Sequence, residues 1–303
     1  MRLEGTHRGS RQHHILATIC LALAGSLWGT GFFFGKIAFN EMTVSEDVAF
    51  RLLSAAIALS PILVRRWRPY RGVELRLLLL ASVIGIPVQY LIQFEGLHLT
   101  TVSHASLIVG AIPVMLAASS ALILKERLRR TEWLALGISA GGAALIARSS
   151  VHTSGGPRPD WRGDLLVLVS LIAAVAMVLC TKRLMGTHDA LQVTAATIML
   201  GTVSLVIWVE LTQPLRFHFS GIVWGAALAQ GLLATAGAYL LWNWGLSHMP
   251  AARAGVFLNL EPVIGAALGV IILHERLGGL AIVGGLMIIG AALHFSMAPH
   301  EPS

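Results

Sequence analysis

Gly96 to Leu128 reads GLHLTTVSHASLIVGAIPVMLAASSALILKERL, and Gly245 to Leu277 reads GLSHMPAARAGVFLNLEPVIGAALGVIILHERL. The two stretches align over 33 residues without a gap at an offset of 149, and twelve positions are identical. Pro113/Pro262, Glu126/Glu275, Arg127/Arg276 and Leu128/Leu277 are among them. The chain is 303 residues long, so the offset is nearly half of it and the whole reads as a duplication.

Composition says what is duplicated. Hydrophobic residues make up 55% of the chain and charged ones 12%, against about 25% charged in soluble domains. Mean hydropathy is +0.74. The apolar residues fall in runs of roughly 17–25, the length that crosses a hydrocarbon core of about 30 Å as a helix. The net charge of +7 does not indicate a nucleic-acid binder, because Lys and Arg sit in short gaps between apolar runs rather than on one solvated face. Cys20 and Cys180 lie inside apolar runs without metal-ligand spacing and read as packing residues. The first run is too long for a cleavable signal and reads as a first span.

Ten apolar runs are expected near Ile15–Phe39, Val48–Val64, Leu77–Phe94, Val102–Leu124, Trp133–Ala147, Leu165–Cys180, Ala190–Val209, Phe219–Leu246, Ala251–Leu273 and Leu280–Ala298. Arg148–Gly163, with its SSVHTSGGPRP, has linker composition. The expected fold is all-α: a polytopic membrane protein of ten transmembrane helices arranged as two inverted five-helix repeats. Residues 1–14 form a polar tail, 15–147 the first repeat, 148–163 the linker, 164–298 the second repeat and 299–303 the C-terminal tail.

With the N-terminus in the cytoplasm, fifteen Lys and Arg fall in inner segments and five in outer ones, which predicts both termini inside. Five spans per half then force the second half to enter the membrane the other way up. That accounts for a basic KERLRR gap whose repeat, HERLGG, is not basic. Inverted repeats are a recurring device of secondary transporters, although architecture alone does not prove function.

The first span carries LWGTGFFFGK (Leu27 to Lys36), both fourth spans close on LKERL or LHERL, and the eighth span reads AYLLWNWGL. Together these resemble the drug/metabolite transporter superfamily, in its EamA-like branch of ten-span permeases. The resemblance covers nearly the whole chain. It implies a proton-linked or facilitated carrier of a bacterial inner membrane, often exporting amino acids or related metabolites. It also implies that spans one to four and six to nine surround a central cavity, with five and ten as outer supports.

Ionisable or strongly polar side chains at membrane depth are functional candidates by default. Gln89 and Gln93 share a face of the third span at i, i+4, beside Tyr90, and Tyr90 matches Tyr239, whose face continues to Asn243. These residues read either as cavity lining or as interhelical hydrogen-bonding groups. Paired amides suit a zwitterionic or amide-bearing solute. Trp28, Phe32 and Lys36 run i, i+4, i+8 along the first span; the stripe either receives a carboxylate among aromatic rings or ends in a lysine snorkelling towards Glu41. Arg51 is divided between a substrate contact and an outer-gate pair with Glu46 or Asp47. Trp242 belongs to an interfacial belt or faces the cavity.

Pro113 and Pro262 mark symmetry-related interruptions, the best sequence pointer to a central site. Before them the copies diverge: Gly110, Ala111 and Ile112 become Asn259, Leu260 and Glu261. Glu261 is the most membrane-embedded carboxylate, and it either loads and releases a proton or pairs with Arg253 or Lys36. Glu126, Arg127, Glu275 and Arg276 read as caps and ion pairs that hold the hairpin following each fourth span. Gly25/Gly29, Gly31/Gly35, Gly137/Gly141 and Gly265/Gly269 permit close helix contact. His98, His104 and His248 read as interfacial polar residues.

There is no HExxH, CxxC or pair of intramembrane aspartates, so an intramembrane enzyme lacks its chemistry. ATP-driven pumping lacks a GxxxxGK[ST] loop. No cofactor, metal or nucleic-acid partner is expected; a small-molecule substrate and the bilayer are, with the chain as monomer or homodimer. Uptake, multidrug efflux, a channel and a non-transporting scaffold or receptor are the alternatives to export.

Overall fold

The structure, a computed structural model, describes residues 4–124, 130–148, 160–248 and 254–297. Among these residues it is all-helical, with no strand. Six helices are long and apolar enough to cross a membrane: Ile15–Ala38, Val44–Arg66, Val73–Leu99, Trp161–Leu184, Ala190–Thr212 and Gly221–His248. Four shorter apolar helices, Val102–Leu116, Trp133–Ile146, Phe257–Ile271 and Gly279–Ala291, complete ten segments. They are called the first to tenth spans in chain order. The first helix begins earlier than its apolar run, at Glu4, because a nucleated helix gains a hydrogen bond for each further residue it fixes. Large apolar side chains such as Ile57, Leu211, Ile222 and Leu286 face outwards, as an acyl-chain environment requires.

Polar caps set the helix starts. Thr43 and Glu46 form a capping box at the second span: Thr43 Oγ1 accepts from Glu46 N at 3.3 Å and Thr43 N donates to Glu46 Oε2 at 2.9 Å. Asp160, Asp189 and Ser220 cap the sixth, seventh and eighth spans with their own side chains. The cap at Asp160 starts a helix at Trp161, inside the stretch whose composition suggests linker.

The inverted duplication is visible in the packing. The first span lies against the eighth and ninth, and the third against the sixth; the second packs on the seventh, and the fifth on the tenth. At one end, the connection between the first two spans meets that before the eighth, where Arg216 pairs with Glu46 at 2.6 Å and Ser220 N donates to Glu41 at 2.7 Å. The bonds from Glu46 hold the Arg216 guanidinium pKa above its ordinary value, and those from Ser220 hold the Glu41 carboxyl below its own. At the other end Arg66 pairs with Asp189 at 2.9 Å and His188 meets Glu74 at 3.1 Å.

Small residues let the helices cross closely. A Cβ on Gly29 would lie 2.8 Å from Glu261 O, and a Cβ on Gly96 would lie 2.7 Å from Gly163 O. The expected contact face Gly25/Gly29 meets the ninth span, where Gly265 returns to Gly29. The Gly137/Gly141 pair is a correction: a Cβ on Gly137 would meet nothing within 4 Å among the described residues, and Gly142 instead makes the close approach, to Gly284 O of the tenth span.

The candidate central cavity

The third and eighth spans each contain a π-helical turn, at Ile84–Val88 and Leu232–Gly237. The offset of 149 carries one onto the other. Such a turn inserts an extra residue into the helix, frees carbonyl groups and re-aims the side chains beyond it. Pro87 lies in the first of the two; the second contains no proline. Immediately past them stand Gln89, Tyr90 and Gln93 in one repeat and Tyr239 and Trp242 in the other. The fourth and ninth spans are also interrupted at matched positions. The fourth breaks at Gly110 and Ala111, before a helix from Ile112 to Leu124 that opens on Pro113. The ninth begins with a 3-10 turn, Gly255–Asn259, before the α-helix that carries Glu261 and Pro262.

These irregular turns surround one cavity at the seam between the repeats. It encloses about 640 Å³ of empty space, counting the solvent at its mouth. Its walls include Trp28, Gly31 and Phe32 of the first span, Arg51 of the second, Gln89, Tyr90, Gln93 and Phe94 of the third, and Ile112 of the fourth. Met177 of the sixth span, Tyr239 and Trp242 of the eighth, and Leu258 and Glu261 of the ninth complete most of the lining. Among the described residues, none of the lining comes from the fifth, seventh or tenth span.

Among the described residues, Arg51 is the cation that lines this site. It is 2% exposed, and the eighth span's π-turn receives it: Nε donates to Thr235 Oγ1 at 2.6 Å and Nη2 to the Ala234 carbonyl at 3.3 Å. Nη2 also donates to Tyr90 Oη at 3.2 Å, and the guanidinium lies 4.2 Å from the Tyr90 ring centroid, a cation–π arrangement. Nη1 is buried with no hydrogen-bond partner among the described residues. Tyr90 Oη in turn donates to Tyr239 Oη at 3.3 Å, so two repeat-equivalent hydroxyls meet at the pseudo-symmetry axis. Trp28 packs against Tyr239 and Trp242, with ring centroids 5.2 and 5.4 Å away. Gln89 Nε2 donates to Gln93 Oε1 at 2.9 Å, which leaves Gln89 Oε1 buried and unpartnered among the described residues.

The structure thus gathers Trp28, Phe32, Arg51, Gln89, Tyr90, Gln93, Tyr239, Trp242 and Glu261, and departs from the sequence expectation at several points. Lys36 does not line the cavity; it lies towards Glu275, with which it interacts electrostatically, because a further turn of helix carries it past the pocket. Asn243 faces the seventh span and donates to Thr194 Oγ1 at 2.7 Å. Asn259 is buried in the 3-10 turn but is not part of the lining, and neither are Pro113 and Pro262, whose place is the two breaks. Arg51 does not join Glu46 in an outer gate, since Arg216 occupies that carboxylate. Glu261 has Arg51 as its cation rather than Lys36.

Glu275 does not hold the hairpin that follows it. It reaches across to the other repeat and accepts from Val102 N at 2.9 Å, Ser103 N at 2.8 Å and Ser103 Oγ at 2.6 Å, satisfying the open N-H groups at the start of the fourth span. Arg276 is exposed. His104 is fully buried rather than interfacial, with Nδ1 3.2 Å from Asp164. Glu126, Arg127 and Arg253 lie outside the described residues.

Sequence reasoning missed Gln230, Thr235 and Met177 as parts of the site or its support. Asp47, one of the two acids expected as a partner of Arg51, does interact with it electrostatically.

The sequence profile of the EamA-like transporter family matches residues 16–148 and again 161–297. The chain is 26% identical over 277 residues to the biotin transporter of Escherichia coli strain K12, covering 90% of each chain. It is 27% identical over 288 residues to the uncharacterized transporter YwfM of Bacillus subtilis, covering 94% of this chain and 95% of that one. A solved structure superposes with a TM-score of 0.64 at 17% identity, over 91% of this chain and 94% of the other, a likeness of fold.

Proposed function

Because the chain belongs to the EamA-like transporter family, we propose that this integral membrane protein is a secondary carrier of amino acids or related small carboxylate-bearing metabolites, working by alternating access. In this reading it resides in a bacterial inner membrane with both termini in the cytoplasm, and moves solute outwards when the solute accumulates inside. The observation that carries it is Arg51, buried in the cavity wall with Nη1 unpartnered among the described residues. A buried guanidinium with a free edge is a receptor for a carboxylate. The Gln89–Gln93 amides and the Trp28–Tyr239–Trp242 rings supply polar and apolar contacts for the remainder of a solute, the division of labour expected of a small-molecule pocket.

The relatives named biotin transporters favour a second reading within the same class, in which the solute is biotin or a similar acid. Biotin combines a carboxylate with a cyclic urea, which complements a cation and paired amides.

A thermal-shift panel of amino acids, biotin, sugars, nucleotides and cationic drugs on purified protein tests both readings, followed by counterflow in liposomes. Carboxylate solutes are expected to stabilise the protein and to show saturable counterflow. Arg51→Gln is expected to weaken their binding at least thirtyfold, since removing one partner of a buried charge pair costs about 2–5 kcal/mol. Stabilisation by sugars or cations alone, unaffected by Arg51→Gln, overturns the reading.

A further inference from the structure

Three groups that carry charge in water are buried at or beside the cavity: Arg51, 2% exposed, and Glu261, 8% exposed, line it, and Asp47, 0% exposed, lies one helical turn before Arg51. Asp47 and Arg51 share one face of the second span at i, i+4, while Glu261 comes from the other repeat. Arg51 interacts electrostatically with both carboxyl groups. Neither oxygen of Asp47 has a hydrogen-bond donor among the described residues, just as Arg51 Nη1 has no acceptor. The polar side chain beside Asp47 is Gln230, near enough to interact with its carboxyl group; one N–H of its Nε2 goes to the Gly31 carbonyl at 2.9 Å.

Among the described residues, no other charged group interacts with Asp47 or Glu261. Around Asp47, the second span is packed by Tyr90 of the third, Thr202 of the seventh, and Gln230 and Thr235 of the eighth. Glu46, its sequence neighbour, is held by Arg216. Around Glu261, the titratable groups are Arg51 and Tyr239; the first and fourth spans, which pack on the ninth, bring Gly29 and Ser106 there. Lys36 interacts electrostatically with Glu275 elsewhere, and His104 Nδ1 lies 3.2 Å from Asp164.

One cation therefore serves two buried acids. A buried ion without a counter-ion is so unfavourable that a titratable group neutralises instead. In the empty carrier one of the two acids is ionised against Arg51 and the other holds a proton. When a solute carboxylate takes the guanidinium, the displaced acid loses its counter-ion and binds a proton in turn. The loaded carrier then holds one proton more than the empty one.

We infer that the cavity carries net monoanionic carboxylic acids together with one proton each, the solute occupying Arg51 and whichever of Asp47 and Glu261 it displaces taking the proton. The inference rests on the carrier reading above and narrows its substrate class. A zwitterionic amino acid would behave differently, because its ammonium group neutralises the displaced acid and no proton follows.

The test uses the full chain in sealed liposomes with a lumenal pH indicator, and a matched pair of probes: N-acetylleucine, a net monoanion, and leucine, its zwitterionic parent. Protein-free liposomes give the passive leak. Entry of N-acetylleucine is expected to deliver one proton per anion to the lumen and to ignore an imposed membrane potential. Asp47→Asn and Glu261→Gln are each expected to keep that count at one, because the remaining acid serves. The double variant is expected to lose the proton and to become sensitive to potential. A count of zero in the unaltered protein overturns the inference, and so does complete loss of the proton in Glu261→Gln alone. If leucine moves while N-acetylleucine and every monoanion of the wider panel do not, the anion class falls and the carrier reading stands. If no solute of any class moves, the carrier reading falls and this inference with it. Should the double variant fail to insert, the counts from the unaltered protein and the two isosteric single variants decide.

Discussion

Tyr90 and Tyr239 are the same position of the duplicated sequence, and their hydroxyls touch at 3.3 Å. Their roles are nonetheless unequal. Tyr90 also accepts a hydrogen bond from Arg51 and lends the guanidinium its ring, whereas Tyr239 turns to Trp28 and Met177. An interhelical hydrogen bond in a membrane protein is worth about 0.6–2 kcal/mol. Tyr90→Phe is therefore expected to weaken carboxylate binding roughly threefold to thirtyfold, and Tyr239→Phe by less than threefold, measured by titration of the purified protein. Equal effects would show that the pair acts only as a spacer. The sequence made both tyrosines candidates through the offset of 149, but not Arg51's choice among them. Arg51 had carboxylates at Glu46 and Asp47 in its own helix, and only the position of Thr235 and the Ala234 carbonyl shows which way it turns.

At the scale of elements, the four irregular turns do more than the straight helices. Two π-turns and two interrupted spans deliver most of the cavity's polar groups other than Arg51 and Trp28, and a π-turn receives Arg51, because a regular apolar helix has no free carbonyl to offer an arginine. The prolines at 113 and 262 announced two of the four, and the third contains Pro87. The turn at Leu232–Gly237 has no proline and was legible only as the repeat of the other. The turn that brings Glu275 to the fourth span is likewise irregular: His274 has φ 54°, and Glu275 N donates to Gly269 O at 3.0 Å, a left-handed residue past a helix end with histidine where glycine is usual. His274→Gly is expected to leave thermal stability unchanged or raise it, while a β-branched residue there lowers it. Glu275→Ala is expected to cost about 0.5–2 kcal/mol, the range for losing an N-terminal cap, read from a denaturation midpoint in detergent. An unaffected midpoint would mean that water caps the fourth span as well as the carboxylate does.

At the scale of the whole molecule, five spans per half predict opposite orientations for the two repeats. Reporter fusions that fluoresce only in the cytoplasm are expected to light at both ends of the chain. A dark C-terminal fusion beside a bright N-terminal one would require an odd number of spans. The sequence by itself determined the membrane class, the duplication and the inversion, because apolar run length, a fixed offset and the odd count per half are properties of order along the chain. It also named most of the cavity's side chains, since a polar residue has few places to be at membrane depth. Only the tertiary structure decided which of them meet. Lys36 and Asn243 share helical faces with cavity residues, yet a turn further along, or a small change of heading, gives one to Glu275 and the other to Thr194. The electrostatic interaction of Arg51 with Glu261 joins opposite halves of the chain. Such an interaction is fixed by how the two repeats are docked, and spacing along either repeat carries no information about that.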